Sequence, residues 1–173
     1  MRPLFLPALA AALFALTAPA SAADSLQSLC VTDSGQVEAG ARVTACSQLP
    51  DEGKAGPAAR IDIYINRAWS YGQLGGWDKA FADYEAALKI NPGAAKVHDE
   101  KGVARLRMGR FEDAVSNYDR ALKLDARMTL SYYGRAVARA KFGQTAAAEA
   151  DFAAARRINP RVDTIFERIG LRS

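Results

Sequence analysis

Two cysteines, one histidine and a recurring set of arginines and aspartates carry the chemistry open to this 173-residue chain. Cys30 and Cys46 close a loop of about 17 residues, for which a disulfide contributes roughly 3 kcal/mol. A redox pair would call for Cys-x-x-Cys, and a metal site for more ligands, yet His98 lies far away in sequence. The charged residues follow a step. Arg67, Lys101 and Arg135 are 34 apart, and so are Asp83, Asn117 and Asp151. Arg occurs where its counterpart is Asp, and Lys where it is Asn. A guanidinium meets a carboxylate with two parallel hydrogen bonds, so Arg67–Asp83 and Arg135–Asp151 are expected to tie paired helices together. A basic ladder for an acidic partner is the other use of these cations. Arg105 and Arg139 lie one helical turn after Lys101 and Arg135, where like charges repel unless partnered. Glu100, Glu112, Asp113 and Asp119 are near enough in sequence to serve. Either a satisfied charge network or an anion site, with Arg107 and Lys141 as further cations, fits this pattern. Catalysis finds no support: G-x-S-x-G, H-E-x-x-H and a phosphate-binding Gly-rich loop are all missing. No enzyme activity, metal or cofactor is expected.

These residues sit on elements that repeat in the same register. Gly75, Gly109 and Gly143 are 34 apart, as are Ala80, Ala114 and Ala148, then Tyr84, Tyr118 and Phe152, then Ala87, Ala121 and Ala155. That period, with apolar residues at helical spacing, describes stacked helical hairpins. The units run 61–94, 95–128 and 129–162. In each, about the first 14 positions form one helix, the glycine stops it, and position 17 opens the second. Asn91-Pro92 and Asn159-Pro160 end the second helices of units one and three; Asp125-Ala126 marks unit two less sharply. Small residues at positions 8, 20 and 27 let helices approach closely, and large ones at 4 and 24 fill the gaps.

The pattern at positions 4, 8, 11, 20, 24, 27 and 32 resembles the tetratricopeptide repeat. Unit one carries it as Tyr64, Ala68, Tyr71, Ala80, Tyr84, Ala87 and Pro92. Arg105, Ala126 and Arg139 depart from it. The resemblance implies an all-α, right-handed solenoid of about three repeats. It also implies a concave groove lined from the first helix of each unit. Carried over, that groove presents Ile65, Trp69, Gln73, Val103, Leu106, Arg107, Tyr133, Val137 and Lys141 to a peptide or helix of a partner, unless the terminal segments cover it. Co-chaperones of this family hold a terminal carboxylate with Lys, Asn and Arg. The matching positions here read Ile65, Trp69, Glu100, Leu130 and Gly134, which supply no such clamp.

The ends and the charge bound the rest. Residues 1–22 read as a secretory signal: Arg2, an apolar run from Leu4 to Leu16, then Ala20-Ser21-Ala22 as a cleavage site. Residues 23–60 read as an N-terminal capping segment with a helix over Gln36 to Ser47 and the expected disulfide. Within 61–173, a C-terminal capping helix is expected over Thr164 to Leu171. The net charge of +4 falls to about +3 without Arg2, too mild to argue for nucleic acid. No segment after the signal is apolar enough to anchor the chain in a membrane. Small exported bacterial tetratricopeptide proteins look similar. The expectation is a periplasmic or secreted protein–protein interaction module, an adaptor or scaffold in the cell envelope. The alternative is a small periplasmic binding protein for an anionic ligand. Self-association through an exposed end is compatible with either.

Overall fold

Each hairpin is set by its turn. In the computed structural model, which describes residues 22–32, 37–49 and 55–168, Gly75, Gly109 and Gly143 have φ of +76°, +72° and +85°. Only glycine adopts that left-handed conformation without strain. It lets the residue after it reach back. Gly76, Arg110 and Gln144 donate their N–H to the carbonyls of Tyr71, Arg105 and Arg139 at 2.8, 2.9 and 2.8 Å, the closing bond of a Schellman turn. The chain thus reverses three times in one way. The paired helices are α3 (Pro57–Gln73) with α4 (Trp77–Ile90), α5 (Ala95–Arg107) with α6 (Phe111–Leu124), and α7 (Thr129–Lys141) with α8 (Thr145–Ile158).

Between units a second device recurs. The side chains of Asn91, Asp125 and Asn159 accept the N–H two residues on, from Gly93, Arg127 and Arg161, each at 2.9 Å. Unit two therefore ends as sharply as the others although it lacks the proline: an aspartate makes the same turn as asparagine.

The N-terminal segment differs from the sequence expectation. Residues 22–31 form a helix, α1 (Ala22–Val31), which the irregular pattern did not suggest, and α2 spans Ala39–Gln48. Both pack on α3. Cys30 and Cys46 join α1 to α2, with Cα atoms 4.9 Å apart, and both are buried with Ala45 and Ile63. The segment is thus a further helical hairpin in the place of a preceding unit. At the other end, α9 (Val162–Arg168) packs on α7 and α8. The expected signal cleavage site and the last residues of the expected capping helix lie outside the described residues, except Ala22, which begins α1. Among the described residues no helix is long and apolar enough to cross a membrane.

The core lies between units. Tyr84 and Tyr118 are its largest fully buried side chains. Tyr118 of α6 slots between α5 and α7, where a Cβ on either Gly102 or Gly134 would overlap its ring. Its hydroxyl has no hydrogen-bond partner among the described residues.

A cleft between the N-terminal hairpin and the first helices

The first helices α3, α5 and α7 touch one another in sequence, so their inward-facing residues divide into two sets. Those in the seams are covered. Leu106, Tyr133 and Val137 are between 2% and 6% exposed and belong to the core, while Ile65, a core residue at 4%, also borders the open set. The ring of Tyr133 meets Phe152 edge-on with centroids 4.9 Å apart, and Val162 of α9 joins the same cluster. This corrects the sequence expectation that Leu106, Tyr133 and Val137 offer a docking surface. Helical periodicity assigns a residue to a face, but neighbouring first helices and α9 pack against that face. Gln73 and Lys141 are exposed but lie near the helix ends, outside the cleft.

The second set stays open. Trp69 and Val103, both half-buried, line a cleft of about 510 Å³ together with Ile65, Asn66 and the exposed Leu130. Its other wall is Val31 and Thr32 at the end of α1, and Arg42 of α2. These three were not among the residues singled out from the sequence, because no repeat places them. Arg42 is itself buried and donates from Nη2 to the Thr32 carbonyl at 3.0 Å. The Arg107 guanidinium covers the Trp69 ring at 4.0 Å from its centroid, and its burial lowers its pKa. Trp69 thus lines the cleft with an arginine stacked on its ring.

The floor is acidic. Asp62, Asp99 and Glu100 line the cleft against Lys96 and Arg42. Lys96 pairs with Asp62 across one repeat at 2.8 Å. Asp99 is 6% exposed and accepts a hydrogen bond from the Ser131 hydroxyl at 2.5 Å. Burial raises its carboxyl to about 6, against a smaller opposing effect of that hydrogen bond. Its column in the repeats reads Ile65, Asp99, Tyr133, so an acid in an otherwise apolar position was the available signal.

The arginines of the repeats are engaged elsewhere. Arg67 forks onto Asp83 with Nε at 2.8 Å and Nη2 at 2.7 Å. Arg135 forks onto Asp151 at 2.8 and 2.6 Å and meets Asp119 of the preceding unit at 2.5 Å. Burial pulls the Arg135 pKa down, but its two aspartates carry it above its ordinary value. Lys101 makes the same step back, to Glu85 at 2.5 Å. The acids of this column, Glu85 and Asp119, precede their partners by 16 residues, the spacing of the Arg–Asp pairs. Arg139 binds Asp151 at 2.7 Å. Arg105 lies over the Phe81 ring at 4.1 Å and 3.8 Å from Asp113. Arg105 and Arg139 are thus held by internal acids, and Arg107 by the Trp69 ring. Among the described residues no three His, Cys, Asp or Glu side chains are placed to hold a metal ion.

A family model described as tetratricopeptide repeat matches residues 61–93, and another of the same description matches 100–162. Together they span more than half of the chain. No curated protein matches the sequence. Among similar solved structures is the second repeat domain of human RPAP3 in complex with the HSP70 peptide SGPTIEEVD. It is 21% identical, with a TM-score of 0.56 over 61% of this chain and 88% of that one. The second repeat domain of Spaghetti (RPAP3), bound to the HSP90 peptide SRMEEVD, is 20% identical, with a TM-score of 0.55 over 58% and 88%. MamA is 17% identical, with a TM-score of 0.58 over 78% and 80%. At these identities the likeness is one of fold.

Proposed function

Since the chain belongs to the tetratricopeptide repeat family, we propose that it is a protein-binding module that holds a segment of a partner in the cleft between its N-terminal hairpin and α3, α5 and α7. The carrying observation is the cleft itself. Trp69, Val103 and Leu130 leave apolar surface open on first helices whose arginines Arg67 and Arg135 are internally paired. An aromatic anchor beside apolar area and a stacked arginine is the composition of binding hot spots. The RPAP3 domains are similar in fold and are bound to peptides ending in EEVD, which supports peptide capture as the mode. The residues here differ in kind. Glu100 and the apolar Ile65, Trp69 and Leu130 stand where the co-chaperone clamp carries amides and cations, so an acidic terminus is not the expected guest.

The place of action is the bacterial cell envelope, as an adaptor or scaffold reached by export. The signal-like residues 1–22 support this, and so does the Cys30–Cys46 disulfide, a bond that persists in oxidising compartments. Two measurements test the reading. N-terminal sequencing of the protein from fractionated cells should find a chain beginning near Ala23 outside the cytoplasm; an intact Met1 in the cytoplasm overturns export. Cross-linking in the envelope should join wild type to a partner that Trp69→Ala, checked for retained helicity, no longer holds. An unchanged partner overturns the cleft as the binding site.

A further inference from the structure

Three aspartates are buried alike among the described residues: Asp83, Asp99 and Asp151 are 6%, 6% and 5% exposed. Asp83 and Asp151 each receive an arginine fork. Asp99 receives one neutral hydroxyl, that of Ser131, and no cation of the described residues forms a salt bridge with it. The nearby cations are turned away: Lys96 to Asp62 at 2.8 Å, Arg42 to the Thr32 carbonyl at 3.0 Å. The Tyr118 hydroxyl, fully buried by Gly102 and Gly134 and within electrostatic reach of Asp99, also lacks a partner among the described residues. Asp99 lies on the floor of the cleft described above and of the adjoining one of about 450 Å³, which Met128, Leu130 and Ile165 line.

The geometry points to Asp99 as the anchor of a subsite for a lysine or arginine side chain carried by the bound segment. This rests on the cleft being the binding site. A buried carboxylate without a counter-charge destabilises the chain that holds it. The counter-charge is absent from every described residue, and Asp99 borders both clefts. Among the described residues three acids against two bases line the larger of these two clefts, on a chain of net positive charge. The guest's charge is therefore the reverse of that carried by the acidic peptides on the similar RPAP3 domains. A long basic side chain suits the approach: its aliphatic stem lies along Leu130 and Val103 while its head reaches the floor. Binding then supplies the charge-assisted hydrogen bonds that Ser131 alone does not.

A random peptide library, selected on the immobilised wild-type protein, tests this. Enriched peptides should share a lysine or arginine at one position beside an apolar residue. Replacing that base by norleucine should weaken binding about ten- to hundredfold, the range of a charge-assisted contact. Asp99→Asn should weaken it equally, and the two losses should not add. Because Asp99→Asn keeps the shape and relieves the buried charge, its melting temperature should not fall, which separates lost binding from lost folding. Peptides that need Trp69 but carry no fixed base, or are indifferent to Asp99→Asn, overturn the subsite and leave the cleft standing. An enriched acidic motif does the same. No enrichment, or peptides indifferent to Trp69→Ala, overturns both.

Discussion

Asp151 and Asp99 are the same residue type at the same burial, yet they sit in opposite circumstances. On the seam between paired helices, Asp151 is gripped by Arg135 and Arg139 at 2.6 and 2.7 Å. On the cleft floor, Asp99 has a serine. The seam is a closed network, in which acids of one unit also reach cations of the next, through Asp119 to Arg135 and Glu85 to Lys101. It aligns the hairpins and offers a guest little free charge. The floor is open electrostatically and lies against a cleft. Burial alone therefore does not mark a functional residue; the proposed subsite rests on burial without a counter-charge beside a cleft.

The contrast can be broken most strongly from the seam. Asp151→Ala leaves two arginines facing only Asp119, and should destabilise the fold by about 3 kcal/mol or more, read from urea unfolding. If the loss were under about 1 kcal/mol, the network would not hold the hairpins. The floor should answer with the opposite sign. Asp99 ionises near 6 in the fold against its ordinary 3.8. The folded chain thus holds this proton more tightly than the unfolded one, and the contribution of Asp99 to stability should fall as pH rises from about 4 to about 6. At pH 8 Asp99→Asn should gain up to about 3 kcal/mol, a gain that vanishes below about pH 4. Thermal melts of the two chains across that range measure it, and a destabilised variant at pH 8 would place Asp99 with the seam residues. Arg67→Lys keeps the charge but loses the fork on Asp83, so a loss of about 1 kcal/mol is expected by chemical denaturation. The exposed Lys96–Asp62 pair sets the lower end: Lys96→Ala should change stability by about 0.5 kcal/mol or less.

The chain taken alone determined the repeating part of the molecule. A 34-residue step requires each hairpin to turn and pack as the next does, so the glycines, the small columns and the Arg–Asp columns were legible together. Arg67 with Asp83 and Arg135 with Asp151 could be paired because their types change in concert. The tertiary structure decided what does not repeat. Periodicity places Leu106, Tyr133 and Val137 on the inward face of their helices, but only packing shows neighbouring units and α9 covering them. The hairpin of α1 and α2 has no column to announce it, yet it supplies a wall of the cleft through Val31, Thr32 and Arg42. Asp99 shows the limit most plainly. Its place in an apolar column was visible, but whether a cation lay within reach depended on distances between helices far apart in sequence. Local pattern encodes which face a residue takes; the counter-charge that a buried group meets is fixed by the elements that close over it.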